Sequence, residues 1–149
     1  MARGGISWLG GGLVTAQVTC CCLLIWLGWR GVLGTVWLWP GVIAGIGVSV
    51  AGVRAMRLSR LKITPEPGEQ AALVDSGIYS HIRHPMYAGL LLAFGMFAIG
   101  GGIPGGVTWL VLFLVLWAKL SIEERLWMRR DPAYAGYCAR TRRLIPGLW

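Results

Sequence analysis

The sequence predicts an all-α integral membrane protein with about four transmembrane helices. Of its 149 residues, 56% are hydrophobic and only 13% charged, a balance foreign to a water-soluble globule. The charges are also segregated: all six acids, and every basic residue except Arg3 and Arg30, fall between Arg54 and Arg83 or between Lys119 and Arg143. What remains is four apolar segments almost free of charge, as chain crossing a bilayer has to be. The net charge of +8 does not point to nucleic acid. The basic residues flank hydrophobic spans, where they set topology against anionic headgroups, and no nucleic-acid motif accompanies them.

The first span is expected at about residues 7–29. Its apolar run is too long for a signal-peptide core and no small-x-small cleavage site follows, so it reads as an uncleaved anchor. Trp8 at one end and Trp26 and Trp29 at the other suit interfacial belts. Cys20, Cys21 and Cys22 point in different directions around a helix, cannot converge on one metal, and read as small packing residues with no disulfide framework. Arg30 and Gly31 read as a turn before a second span at about 33–53, with a kink at Pro40. Gly41 and Gly45 form a GxxxG, and Gly47, Ser49, Ala51 and Gly52 keep the far half of that span thin, which suits close helix packing. Residues 54–84 form a polar loop carrying Arg54, Arg57, Arg60 and Lys62, in which Thr64-Pro65-Glu66-Pro67-Gly68 breaks any helix. A third span at about 85–99 ends at Gly100–Gly106, a run read as too rich in glycine to be helical and therefore as a tight reversal. The fourth, at about 107–120, continues as the helical stretch Ser121–Arg130 into a C-terminal cap, 121–149. Segments three and four form a hairpin that crosses and returns, each short for a full span. The chain reads as one domain, 1–149, with both basic segments on one side. The positive-inside bias makes that side cytoplasmic, with both termini there and the bacterial inner (cytoplasmic) membrane as the expected location.

Chemistry concentrates in two places. Residues 77–89, GIYSHIRHPMYAG, hold both histidines of the chain. Proline pushes the preceding residue out of the α region and itself suits the first helical turn, so a helix is expected to start near Pro85 with Arg83 and His84 just ahead of it. Such an end, with unpaired N–H groups and partial positive charge, favours an anionic ligand group. The second place is Glu123-Glu124, adjacent carboxylates at a membrane boundary that need a cation. Lys119, one turn earlier, supplies one. The pair reads either as an ion-pair network or as the receiver of a ligand's cationic part. His81-x-x-His84 has the spacing of a metal pair, but no third or fourth ligand stands at suitable spacing, so no metal is expected. Tyr79 and Tyr87 read as interfacial aromatics or as walls for a purine. A zwitterion such as S-adenosylmethionine would use both clusters. Residue types alone leave open methyl transfer, a nicotinamide-dependent membrane reductase and a non-catalytic membrane module.

The stretch LVDSGIYSHIRHPMYAG resembles the core signature of the integral-membrane isoprenylcysteine carboxyl methyltransferase and phospholipid methyltransferase families. There a Gly-x-Tyr precedes Arg-His-Pro-x-Tyr-x-Gly, and a Glu-Glu pair follows a helical hairpin. Here the pair is Glu123-Glu124, followed by Tyr134-x-x-Tyr137 and Arg143-Leu144-Ile145-Pro146; the resemblance covers about residues 40–148. It implies S-adenosyl-L-methionine-dependent methylation of a lipophilic or membrane-associated acceptor, a carboxylate or an amine. The cofactor contacts it implies are Leu73, Val74, Tyr79, His84, Pro85, Met86, Tyr87 and Glu123, to which the helix-entrance argument adds Arg83. Glu123 or Glu124 would serve as base where the acceptor has a proton to lose, and Lys119 falls on the substrate side. The family's usual Phe-Gly ahead of Tyr-x-x-Tyr is replaced by Asp131-Pro132.

Overall fold

The computed structural model describes residues 3–56 and 73–147, with side chains described from residue 10 onward. Among these residues are five α-helices: α1 (Arg3–Gly34), α2 (Trp39–Met56), α3 (Pro85–Gly100), α4 (Gly102–Arg130) and α5 (Ala133–Arg140). Three segments are long and apolar enough to cross a membrane, namely Gly10–Gly34, Val36–Met56 and Gly102–Arg130. The 16-residue α3 is a shorter apolar helix, about 24 Å long at 1.5 Å per residue. The protein is thus an all-helical integral membrane protein. Trp26, Trp37 and Ile103 turn outward, 72%, 85% and 86% exposed, an arrangement that lipid tolerates and water would not.

The centre of the bundle is α3, which packs on α1, α2 and α4. Small residues allow the backbones to touch. A Cβ on Gly28 would lie 2.0 Å from the Phe97 carbonyl oxygen, and one on Gly45 would lie 2.5 Å from the Ala93 nitrogen. The GxxxG of the second span therefore does what its pattern suggests, since without a hydrophobic driving force in lipid, close contact is what holds helices together. Cys20 and Leu24 of α1, Leu91 and Ala98 of α3, and Leu112 and Leu116 of α4 make up the main core. Cys20 is buried, Cys21 half-buried and Cys22 exposed, and all are free thiols, in keeping with three directions around one helix.

Three local expectations are corrected. Arg30 and Gly31 make no turn; α1 runs through them to Gly34, because Gly31 abuts Gly100 and Arg30 reaches over the Trp29 ring. The reversal comes at Thr35 and a 3-10 turn at Val36–Leu38. Pro40 accordingly sits in the first turn of α2, where its missing N–H costs nothing, and produces no kink. The glycine run is also mostly helical. Gly100 closes α3, and the reversal takes only Gly101 and Gly102, the latter at φ +63°, with Ile103–Gly106 already in α4. Among the loop residues, Arg54 lies in the last turn of α2; Arg57, Arg60, Lys62 and Thr64–Gly68 lie outside the described residues, as does the side chain of Trp8.

Past α4 the chain turns at Asp131, forms α5 and returns along the loop before α3. Arg83 N–H donates to the Arg142 carbonyl at 2.7 Å, His84 N–H to the Arg143 carbonyl at 3.0 Å, and Arg142 N–H to the His81 carbonyl at 3.0 Å. This is a short parallel bridge between Ile82 and Arg142.

Candidate active site

The entrance to α3 is built as the sequence suggests. Gly77, at φ +62°, opens a 3-10 turn at Gly77–Ser80, His84 caps the helix and Pro85 is its first residue. The antiparallel packing of α3 and α4 sets this entrance beside Lys119, Glu123 and Glu124, near the end of α4. The two carboxylates part there. Glu124 is buried and gathers cations: Arg83 Nε lies 2.8 Å from its Oε1, and Arg143 Nη2 2.9 Å from its Oε2. Arg83 also donates from Nη1 to the carbonyls of Cys138, at 3.1 Å, and Thr141, at 2.7 Å. Glu124 thus fastens the tail to both helices. The Arg83 guanidinium is directed at this fastening.

Glu123 faces the other way. It accepts a short hydrogen bond from the Tyr87 hydroxyl and its side chain keeps 22% exposure. His84 bridges the two acids, with Nδ1 3.5 Å from Glu123 and Nε2 3.4 Å from Glu124. The second approach is within ion-pair distance but not aligned as a hydrogen bond, so Nε2 is a buried nitrogen with no hydrogen-bond partner among the described residues. Burial alone would lower the His84 pKa, but the carboxylates of Glu123 and Glu124 beside its two ring nitrogens outweigh it and raise it above its ordinary value. The His84 and Tyr87 rings stack at 5.6 Å and 8°. Tyr79 is buried, and burial with the nearby Glu123 charge pushes its pKa up to about 12; its backbone carbonyl accepts from the Tyr137 hydroxyl at 2.7 Å. Lys119 is 2% exposed, with Nζ 5.3 Å from the Tyr87 ring centroid.

Tyr79, His84, Pro85, Tyr87, Lys119, Glu123 and Glu124 therefore come together. Met86 is half-buried and lies against α2 at Gly52, while Leu73 and Val74 lead, half-buried, into the 3-10 turn. His81 is exposed, bonded to Ser80 Oγ at 2.9 Å. It rims a separate apolar groove of about 640 Å³ between α3, α4 and Leu144–Pro146 whose lining includes neither His84 nor Glu123. Among the described residues, no group of three or more His, Cys, Asp or Glu is arranged to hold a metal ion. Two participants were not legible in the sequence. Thr141 is 1% exposed and ties Arg83 to Tyr137. Gln17 of α1 accepts a hydrogen bond from Lys119 Nζ at 2.6 Å. An amide within an apolar span is the signal that could have found Gln17; nothing comparable marks Thr141.

The family model for phospholipid methyltransferases matches residues 41–135, from the GxxxG of α2 into α5. No curated protein and no solved structure matches the chain.

Proposed function

The chain belongs to the phospholipid methyltransferase family, and from that premise we propose that it moves a methyl group from S-adenosylmethionine to a lipophilic acceptor at the membrane surface. Its class, a membrane methyltransferase, follows from the family and the apolar helices. Donor and acceptor rest on the site.

The observation that carries the reading is the separation of the two glutamates. Glu124 is held by Arg83 and Arg143, while Glu123, backed by Tyr87 and His84, keeps a side chain 22% exposed. The residues present fit the donor. A sulfonium and an ammonium want an accessible carboxylate, and the donor's own carboxylate wants N–H groups. Glu123 answers the first need; the N–H groups at the start of α3, with His84 beside them, answer the second. His84, Pro85, Met86 and Tyr87 would hold the donor from α3, with Leu73, Val74 and Tyr79 closing over it. When bound, S-adenosylmethionine supplies an electrophilic methyl carbon.

Alignment and exclusion of water are then the protein's main tasks. Tyr79, with its pKa pushed up to about 12, stays a neutral wall. Glu123 holds positive charge and, with an amine acceptor, takes the proton. Lys119 faces the acceptor. The acceptor enters from the bilayer and the water-soluble donor from the cytoplasm, which places the loop before α3 and the tail on the cytoplasmic face of an inner membrane. The test is calorimetry of the detergent-purified protein with S-adenosylmethionine and S-adenosylhomocysteine, without added metal. Saturable binding of both is expected, and folded protein that binds neither overturns the reading.

A further inference from the structure

The groove of about 640 Å³ beside α3 has an apolar depth and a basic mouth. Leu91, Leu92 and Gly95 of α3 and Trp109 and Phe113 of α4 line the depth. The two aromatic rings stack at 6.0 Å and 20°, and the Trp109 N–H is spent on the Leu91 carbonyl at 2.9 Å. That wall therefore offers hydrocarbon and ring faces. The lining follows α3 from Ala88 to Met96, about 12 Å at 1.5 Å per residue, along the direction in which the bundle crosses the bilayer. At the other end stand exposed His81 and the returning tail. Side chains alternate along that tail: Thr141 and Arg143 turn to Arg83 and Glu124, and Leu144 turns to the groove. Arg142 falls on the face of Leu144, opposite groove-lining Ile82 in the parallel bridge. It is exposed, and its guanidinium has no ion pair or hydrogen bond among the described residues.

We propose that this groove binds one acyl chain of an anionic phospholipid, with Arg142 and His81 meeting its phosphate, and that the bound lipid seats the C-terminal tail. A phospholipid has the same order along its length, charge at the surface and hydrocarbon below. Hydrocarbon enters an apolar groove open to the bilayer because unfilled space forfeits dispersion contacts, and the volume falls within the range of about 300–1,000 Å³ usual for ligand sites. The basic mouth selects the headgroup. This lipid is distinct from the methyl acceptor. The lining includes neither His84 nor Glu123, and Leu91 packs with Leu112, Leu116, Cys20 and Leu24 in the core between the groove and α1. Leu144, Ile145 and Pro146 form one wall of the groove, directly after the Arg143 that holds Glu124. A chain lying against that wall covers Ile145, 57% exposed without it, and keeps Arg143 on its carboxylate. The binding itself does not depend on the methyl-transfer reading above.

The test uses the detergent-purified full chain with dioleoylphosphatidylglycerol and dioleoylphosphatidylcholine, which share their chains and differ in headgroup charge. Native mass spectrometry is expected to show one phosphatidylglycerol bound about tenfold more tightly than phosphatidylcholine. That lipid should also slow tryptic cleavage after Arg143 about fivefold. A Cβ on Gly95 has the Trp109 ring as its nearest neighbour, at 3.4 Å, so Gly95→Leu fills the groove without displacing backbone. It should unfold at an unchanged temperature, bind phosphatidylglycerol about tenfold more weakly and lose the lipid's effect on cleavage. Arg142→Gln should bring phosphatidylglycerol down to the affinity of phosphatidylcholine and leave the latter unchanged. Equal affinity of the two lipids for the wild type, undiminished binding by Gly95→Leu, or cleavage unaffected by lipid overturns the inference. Transfer of label from S-adenosylmethionine to a membrane lipid extract should survive Gly95→Leu within about threefold. Its abolition in that variant would make the groove the acceptor's own and overturn the inference, whereas a wild type that transfers no label overturns the methyl-transfer reading alone.

Discussion

At the scale of single residues, neighbouring side chains of one type have come to different ends. His84 and His81 are three positions apart, yet one is buried between carboxylates and the other is exposed beside Ser80. His84→Ala and Glu123→Gln are each expected to weaken S-adenosylhomocysteine binding about ten- to a hundredfold, the size of one lost charge-assisted contact. His81→Ala should stay within twofold, and titration calorimetry separates the three. Glu124 predicts a stability effect instead. Its removal strands Arg83, whose side chain is 10% exposed, and uncovering one partner of a buried pair costs about 3–5 kcal/mol. Glu124→Ala should therefore unfold at markedly lower temperature in detergent, and Glu124→Gln should recover part of the loss. His84 also gives the stability a pH dependence. Its pKa is raised in the folded protein by Glu123 and Glu124, with Arg83 and Arg143 on the far side of Glu124. The stabilisation is fully present below about pH 6.5, the ordinary histidine value, and is lost as pH rises through the folded value. Thermal unfolding between pH 6 and 9 should show this fall in the wild type and a shallower one in His84→Gln.

At the scale of elements, close backbone contact makes two kinds of glycine. A Cβ on Gly45 meets Ala93 and Gly89 backbone within 2.6 Å, whereas one on Gly47, a single turn-face away on the same helix, meets nothing within 4 Å. Gly45→Ala should lower the detergent unfolding temperature by the equivalent of about 1–3 kcal/mol. Gly47→Ala should leave it unchanged or raise it slightly, since alanine suits a helix better. The elements also show what a sequence reveals. The start of α3 was legible because proline's ring acts locally, on its own turn and on the residue before it. The end of α1 and the start of α4 were not. Charge and glycine were read there as helix breakers, as they are in water, but in lipid a backbone group without an internal partner costs more than a poor propensity, so helix runs on through Arg30 and Gly105. The pairing of Gln17 with Lys119 depends on the register between the first and last spans, which no local pattern records. The division of labour between Glu123 and Glu124 was hidden for the same reason, because it follows from where the tail returns.

At the scale of the whole molecule, the helices alternate direction, so the N-terminal half of α1 lies beside the C-terminal half of α4, where Gln17 meets Lys119. On the proposed methyl-transfer reading the donor comes from the cytoplasm, so this end is expected to face inward. In a background without other cysteines, Arg129→Cys should resist a membrane-impermeant thiol reagent in intact cells and react after lysis. Thr35→Cys, exposed in the opposite turn between α1 and α2, should react before lysis. The reverse pattern would turn the molecule over and remove the donor's route.

The strip of tail alongside residues 81–84 bears on the order in which this protein comes into being. The ribosome delivers α1 to α4 first, and apolar helices are stable in lipid one at a time, so insertion can finish while Thr141 and Arg143 are still unmade. Until they emerge, Arg83 lacks its carbonyl acceptors and Glu124 lacks one of its two guanidinium partners. Membrane residence and completion of the Arg83–Glu124 cluster are then separate events in biosynthesis. A nascent chain arrested after Arg130 would already be anchored, yet Arg83 and Glu124 would still be waiting for the tail.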